Sequence, residues 1–377
     1  MADPATSAYA ALPFHFWTVT AFVFGSIVGS FLNVCIHRMP LGQSIVRPPS
    51  HCPHCGYSIP WYLNIPLVTW FWLGGRCAHC KAPISPRYVL VELLTAALFA
   101  GCWINFGHIS PLLPLAYGIF IAGLIVGSFI DLEHLIIPDQ ITYGGMAAGL
   151  VCSFFVPQMH LAFPDFTRLS TPGAGLMDSF LGLAAGAALI YGILRFFKLF
   201  LGRQKVDLPP ASRIVFTETA VQLPGEEIAY EDLFYRKTDA IELQALRVEL
   251  IDRCYANIPV RLTAGCLKIG GDSFEPEKVT CLEVVADRIV LPREVMGPAD
   301  VTFMAAIGAF LGWPAVLFCL AISSLLGSIV GLTAIVFGKQ DWSSRIPYGP
   351  YIALAAVVWI FGGYQWMRPF LAFLTLR

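Results

Sequence analysis

Charge is what this sequence has least of. Asp, Glu, Lys and Arg make up 13% of its 377 residues, against 56% hydrophobic, and the mean hydropathy is +0.67. A soluble domain needs more charge than that to cover its surface, so several stretches must face lipid. A net charge of −1 argues against a nucleic-acid partner held by phosphate neutralisation. A removable signal peptide is also missing from the expectation: the apolar stretch Pro13–Ile36 has no Lys or Arg before it and is too long for a signal core. No internal repeat and no glycine-rich nucleotide loop on a strand–turn–helix are visible.

What is present is a series of apolar runs near the roughly 20 residues a bilayer-crossing helix needs. They fall at about 14–36, 88–106, 112–131, 140–156, 178–199, 315–337 and 350–366, with a shorter piece from Val301 to Trp313. Together they predict an all-α polytopic membrane protein of eight spans. Basic residues set its orientation. Arg38, Arg47, Arg76, Lys81 and Arg87 follow the first span, the fifth ends with Arg195, Lys198, Arg203 and Lys205, and Lys339 and Arg345 follow the seventh. The amino terminus is therefore expected outside and the large loops in the cytoplasm.

One segment is unlike the rest. Residues 203–299 hold 12 of the 24 basic and 16 of the 25 acidic residues. The expected organisation is span 1 at 13–36, a cytoplasmic cysteine loop at 37–87, spans 2–5 at 88–202, a soluble insertion at 203–295, and spans 6–8 at 296–377. Runs rich in β-branched residues, Arg213–Thr217 and Val279–Val285, predict strands in the insertion, and Glu242–Cys254 predicts an amphipathic helix. The insertion is thus expected to be α+β.

Of eleven cysteines, four form two knuckles, Cys52-Pro-His-Cys55 and Cys77-Ala-His-Cys80. Two such turns, each supplying two thiolates, wrap one tetrahedral ion; four soft sulfurs suit zinc in a closed, structural site. Two disulfides are the alternative, disfavoured in a reducing cytosol. His51, His54 and His79 are read as neighbours of the site, not ligands. The other seven cysteines are read as packing residues.

Two carboxylates stand at the ends of apolar runs, where an ionisable side chain is costly and a functional candidate. Asp131 follows Leu124–Ile130 and Asp300 precedes Val301–Phe310. The orientation puts both at the cytoplasmic face. Two carboxylates about 3 Å apart cannot both ionise, so such a pair shares a proton, one member activating water while the other acts as an acid. Each alone could be a helix-end carboxylate. Asp139, the nearest competitor, reads as a helix N-cap after Pro138; Asp272 and Asp287 read as solvated.

These residues lie within a recognisable pattern. Phe24–Val34 followed by Arg38-Met39-Pro40, the cysteine quartet with Asn64-Ile65-Pro66 inside it, and Ile84–Tyr88 with Val91-Glu92-Leu93 resemble the type IV prepilin peptidases. Ile130-Asp131-Leu132-Glu133 leading into Ile137-Pro138-Asp139, Met296–Val301 leading into Ala306–Trp313, and Pro347-Tyr348-Gly349-Pro350 are similar to the family's later motifs. The resemblance implies a membrane-embedded aspartic peptidase with Asp131 and Asp300 as the catalytic pair. Its partners would be prepilin or pseudopilin helices in the lipid bilayer of the bacterial inner membrane, with no nucleic acid. It also implies S-adenosylmethionine-dependent N-methylation, and Gly75-Arg76 matches the family's methylation-linked Gly-Lys pair. Arg for Lys keeps the charge and changes its geometry. Ala299 and Thr302 stand where the family has glycine and lysine. The rival readings are a methyltransferase alone, or a non-enzymatic scaffold of pilus or secretion assembly.

Overall fold

The computed structural model describes residues 13–160, 171–201, 203–217, 219–224, 226–230, 233–234, 239–250, 254–263, 265–275, 282–292, 297–337, 347–367 and 369. It divides into two compact units, residues 1–190 with 297–377, and residues 191–296.

The first unit is helical. Its elements are α1 (Phe14–Arg38), a short α2 (Val68–Trp72), α3 (Arg87–Phe106), α4 (Leu112–His134), α5 (Asp139–Phe155), α6 (Pro172–Leu201), α7 (Pro298–Leu311), α8 (Trp313–Val336) and α9 (Gly349–Val358), which continues into a π-type turn at Trp359–Gly363. The tail of α6 passes into the second unit. Five of these helices, α1, α3, α4, α6 and α8, are long and apolar enough to cross a membrane. The count of eight is corrected to five on that measure. At 1.5 Å per residue a helix the length of α7 extends about 21 Å, short of the hydrocarbon core, and α5 and α9 also fall below the length of a full span. The expected Val301–Trp313 piece is divided by Gly312, whose φ of +82° ends α7 before Trp313 opens α8.

Small residues set the helix contacts, as they do where lipid removes any hydrophobic drive for association. A Cβ on Gly25 would lie 2.9 Å from Ala96 Cα, and one on Gly29 would lie 2.7 Å from Glu92 Cα, so α1 and α3 run backbone to backbone. A Cβ on Gly182 would overlap the Gly308 carbonyl, and one on Gly186 would reach 2.8 Å from Met304 C, which makes α6 and α7 an equally close antiparallel pair. Gly145 meets Ala306 and Gly149 meets Ala309, so α5 and α7 run parallel. Packing therefore accounts for these glycines. Gly123 differs: nothing lies within 4 Å of its added Cβ, and it lines an apolar cavity of about 190 Å³ with Gly144 and Gly145.

The second unit is a single eight-stranded antiparallel sheet, ordered β3-β2-β1-β8-β4-β5-β6-β7. The strands are β1 (Arg203–Phe216), β2 (Ala220–Leu223), β3 (Glu226–Ala229), β4 (Ala240–Glu249), β5 (Cys254–Thr263), β6 (Cys266–Ile269), β7 (Asp272–Phe274) and β8 (Leu282–Pro292). The expected strands at 213–217 and within 279–285 fall in β1 and β8; residues 279–281 lie outside the described residues. The helix expected at Glu242–Cys254 is corrected: β4 runs to Glu249 and β5 begins at Cys254, with residues 251–253 outside the described residues. Ile241, Leu243 and Ala245 alternate into the core while Gln244 and Leu246 face out. β4 pairs with β5 along most of its length and with β8 at both ends, which satisfies most of its backbone. Among the described residues the insertion contains strands and no α-helix, in place of the expected α+β mixture. In β1 the register shifts between Asp207 and Ser212, where Pro209 and Pro210 cannot donate to the ladder. Asp287 accepts the Ala211 N–H at 2.7 Å and Asp272 the Tyr255 hydroxyl at 2.7 Å, both exposed, as solvated carboxylates should be.

Gly182→Leu should lower thermal stability in detergent by about 1–3 kcal/mol or prevent folding, because overpacking meets backbone and not a movable side chain. Gly123→Leu, with open space around it, should melt within error of the parent.

Candidate active site and four-cysteine centre

Asp131 lies one turn from the end of α4 and Asp300 in the first turn of α7; both are buried, at 6% and 8% exposure. Two contacts fix how their helices align. The rings of Phe120 and Phe310 stack at 4.6 Å, and seven residues along, Gly127 packs on the ring of Phe303. The helices are thus antiparallel, and continuing the same register brings Asp131 level with Ala299, one residue from Asp300. The two carboxyl groups are close enough for their charges to interact. The sequence-predicted pair is brought together.

A backbone N–H holds the Asp131 carboxylate. The N–H of Gly349, at the start of α9, donates to Asp131 Oδ2 at 2.8 Å. A Cβ there would itself stand 2.8 Å from that oxygen, so Gly349 lets the α9 backbone approach as no other residue would. Asp300 donates its own N–H to the Gly297 carbonyl at 3.1 Å and begins a helix whose N-cap is Gly297. The open N–H groups of that first turn favour negative charge. Asp139 is corrected from N-cap to first helical residue: Pro138 is the N-cap and no side-chain cap bond is made. The α5–α7 pairing carries Asp139 to the level of Asp300, yet its side chain is exposed. Ala299 and Thr302 flank Asp300; the Thr302 hydroxyl turns back to the Ala299 carbonyl at 2.9 Å.

The four-cysteine centre lies in the loop between α1 and α3. Each knuckle is a backbone turn closed the same way. Cys52 N–H bonds the Tyr57 carbonyl and Gly56 N–H bonds Cys52; Cys77 N–H bonds the Ala82 carbonyl and Lys81 N–H bonds Cys77. Gly56 and Lys81 take the left-handed conformation each turn requires, at φ +69° and +61°. The Tyr57 and His79 rings stack at 5.4 Å and join the two knuckles. All four sulfurs lie within 4.8 Å of one another, and Cys52 and Cys80 are 3.8 Å apart. Metal–sulfur bonds of ~2.3 Å at tetrahedral angles require sulfurs about 3.8 Å apart, so the cluster fits one ion. The N–H groups of Cys80 and then His79 point at the Cys77 sulfur and hold its thiol down to about 6. Among the described residues no histidine joins the cluster.

Gly75 and Arg76 open the second knuckle. Gly75 is buried at φ +66°, with the Trp70 ring 3.0 Å from where its Cβ would be. Arg76 is exposed, and its backbone bridges Pro83. Two buried polar residues nearby were not singled out as functional by sequence reasoning. Glu92, on α3, accepts the Leu67 N–H at 2.7 Å and a hydrogen bond from Ser30. Asn33, on α1, donates its amide to the Gly29 and Tyr88 carbonyls at 3.3 and 3.0 Å. In the sequence Glu92 stands only inside Val91-Glu92-Leu93, yet an ionisable residue within an apolar span is the signal that marks it.

Comparison with known proteins follows the same division. The bacterial peptidase A24 N-terminal domain matches residues 23–106, and the type IV leader peptidase family matches residues 118–204 and 279–332. The gap between the last two stretches falls in the β-sheet unit. A prepilin leader peptidase/N-methyltransferase of Aeromonas hydrophila is 26% identical over 378 residues, covering 92% of both chains. One from Myxococcus xanthus (strain DK1622) is 53% identical over 109 residues, 28% of this chain and 32% of that protein. One from Burkholderia pseudomallei (strain 1026b) is 36% identical over 141 residues, 31% of this chain and 45% of that protein. The chain thus spans less than half the length of the latter two relatives. No solved structure matches.

Purified protein should contain one tetrahedral divalent ion per chain, and cobalt substitution should give the intense visible bands of a tetrathiolate. Cys52→Ser or Cys77→Ser should lose both. The order of the motifs, the matched stretches and the paired aspartates agree: the chain belongs to the type IV prepilin leader peptidase/N-methyltransferase family, peptidase A24.

Proposed function

We propose that this protein removes the leader peptide of type IV prepilins or pseudopilins as a membrane-embedded aspartic endopeptidase, and N-methylates the new amino terminus. The observation that carries the reading is the antiparallel α4–α7 register, which levels two buried carboxylates at one end of an apolar bundle. Asp131 and Asp300 act as one unit holding a single proton. The ionised member takes a proton from a water, whose oxygen attacks the scissile carbonyl. The protonated member donates to the carbonyl oxygen, and then a proton passes to the departing amine. No covalent intermediate forms on the enzyme. The Gly349 N–H orients Asp131 throughout.

The positively charged loops support a site at the cytoplasmic face of the bacterial inner membrane, with the amino terminus outside. Zinc suits the four thiolates, and a closed shell gives it a structural role: it ties the two knuckles of a loop with little core of its own. S-adenosylmethionine, when bound, supplies a methyl group on a positively charged sulfur. Gly75 and Arg76 are the residues assigned to it, with Arg76 offering an exposed cation to its carboxylate.

Asp131→Asn and Asp300→Asn should each reduce leader cleavage in detergent by about 10²–10⁴-fold while leaving methylation of a pre-cleaved substrate. The parent should show a bell-shaped pH–rate profile from the shared proton, which neither variant can reproduce. Full cleavage by either variant would refute the assignment.

A further inference from the structure

Asn33 and Glu92 form a second polar site inside the helical unit, and it is rich in acceptors and poor in donors. Asn33 is 2% exposed and Glu92 8%. The Asn33 NH₂ lies between two carbonyls, which fixes the orientation of the amide and leaves Oδ1 as the acceptor. That oxygen is buried without a donor. Glu92 has the Leu67 N–H and Ser30, but among the described residues no Lys, Arg or His pairs with it. A buried carboxylate without a cation beside an unpaired amide oxygen is costly, and what would satisfy both is a cation bearing several N–H donors.

The site's place in the fold narrows the ligand. Gly29 packs on Glu92 and Asn33 bonds Tyr88, so the two side chains lie one turn apart on facing helices. Arg87, at the start of α3, pairs with Glu133, at the end of α4. The Phe99–Gly118 contact deeper in the pair keeps the same antiparallel alignment. Between those two contacts Glu92 comes level with about residues 125–128 of α4, one to two turns inward from Asp131. Toward the cysteine loop, Leu67 caps α2 and bonds Glu92, and Trp70 on the same short helix packs on Gly75. The acceptor pair is thus linked to the knuckle carrying Gly75 and Arg76 through Leu67 and α2, and lies on α1 and α3, with α3 packed on the helix that carries Asp131.

We infer that Glu92 and Asn33 receive the α-ammonium of the newly cleaved chain and hold it for methyl transfer. This rests on the function proposed above. Bound there, the ammonium gives one proton to the Glu92 carboxylate. The freed nitrogen pair attacks the methyl carbon of a methylsulfonium donor; the C–N bond forms as the C–S bond breaks. The electron pair leaves on sulfur as a neutral thioether, and the methylated ammonium remains.

The test uses the full chain in nanodiscs without any methyl donor, and a synthetic peptide with the amino-terminal apolar segment of a processed pilin, its terminus free or acetylated. Wild type should prefer the free amine by about tenfold or more. Glu92→Gln keeps the acceptor for Leu67 but not the charge and should abolish the preference; Glu92→Asp should retain part of it. The methylated fraction of cleaved termini should follow the same order, Glu above Asp above Gln. If Glu92 only tethers the loop, Gln will equal Glu and exceed Asp, and the inference is overturned. It is overturned too if wild type shows no preference. Should Glu92→Gln not fold, Asn33→Leu carries the test: a weakened preference supports the site and an unchanged one overturns it. Because the peptide is already cleaved, failure of the peptidase assignment would appear separately, as a wild-type enzyme unable to remove a leader.

Discussion

The packing of Gly127 against Phe303 is the contact on which the rest of the site depends. It admits an aromatic ring between α4 and α7 at a point where a Cβ would stand 3.2 Å from that ring, and with Phe120 stacked on Phe310 it defines a single register. Both aspartates then fall at the same end of the bundle without a direct bond to each other. Gly182 and Gly186 brace α7 from behind, and Gly145 and Gly149 hold it from the side. A helix of only 14 residues is in this way fixed by close contacts on several faces. Rigid support of this kind is what a pair of acid–base groups needs, since reactivity depends on sub-ångström placement.

Burial and function are coupled at this boundary. Asp131 and Asp300 are both buried, and burial raises the cost of two adjacent negative charges. The substrate reading follows from the same placement: a peptide bond can reach the pair only where an apolar helix meets the aqueous face. The Leu67 N–H donates to the Glu92 carboxylate and ties the four-cysteine loop to α3. The loop's fold and the polar site in the helices are therefore mechanically linked.

Much of this was legible in the sequence because lipid and metal impose simple patterns. Long apolar runs and CxxC spacing each have one dominant physical reading, and the helices and the sulfur cluster agree with it; the two isolated carboxylates fall at one end of the bundle. The misses come from patterns that serve two structures. Leu243, Leu246 and Leu250 make a helical stripe, yet Ile241, Leu243 and Ala245 also alternate. Hydrogen bonding to β5 and β8 decided for the strand and left Leu246 exposed. Asp139 reads as a cap because it follows a proline, but Pro138 already has the extended backbone of an N-cap. The Leu67–Glu92 bond left no trace in side-chain pattern, since its donor is a backbone amide. The span count was inflated by α5, α7 and α9, whose apolar character exceeds their length.

The central claim is geometric, and chemical cross-linking reads it directly. With the seven cysteines outside the knuckles replaced, Asp131→Cys and Asp300→Cys in one chain should be bridged rapidly by the shortest bis-methanethiosulfonate in native membranes. A control pair with the second cysteine at residue 311, at the other end of α7, should not react. Failure of the 131–300 pair to bridge in folded, metal-loaded protein would contradict the register on which the account is built.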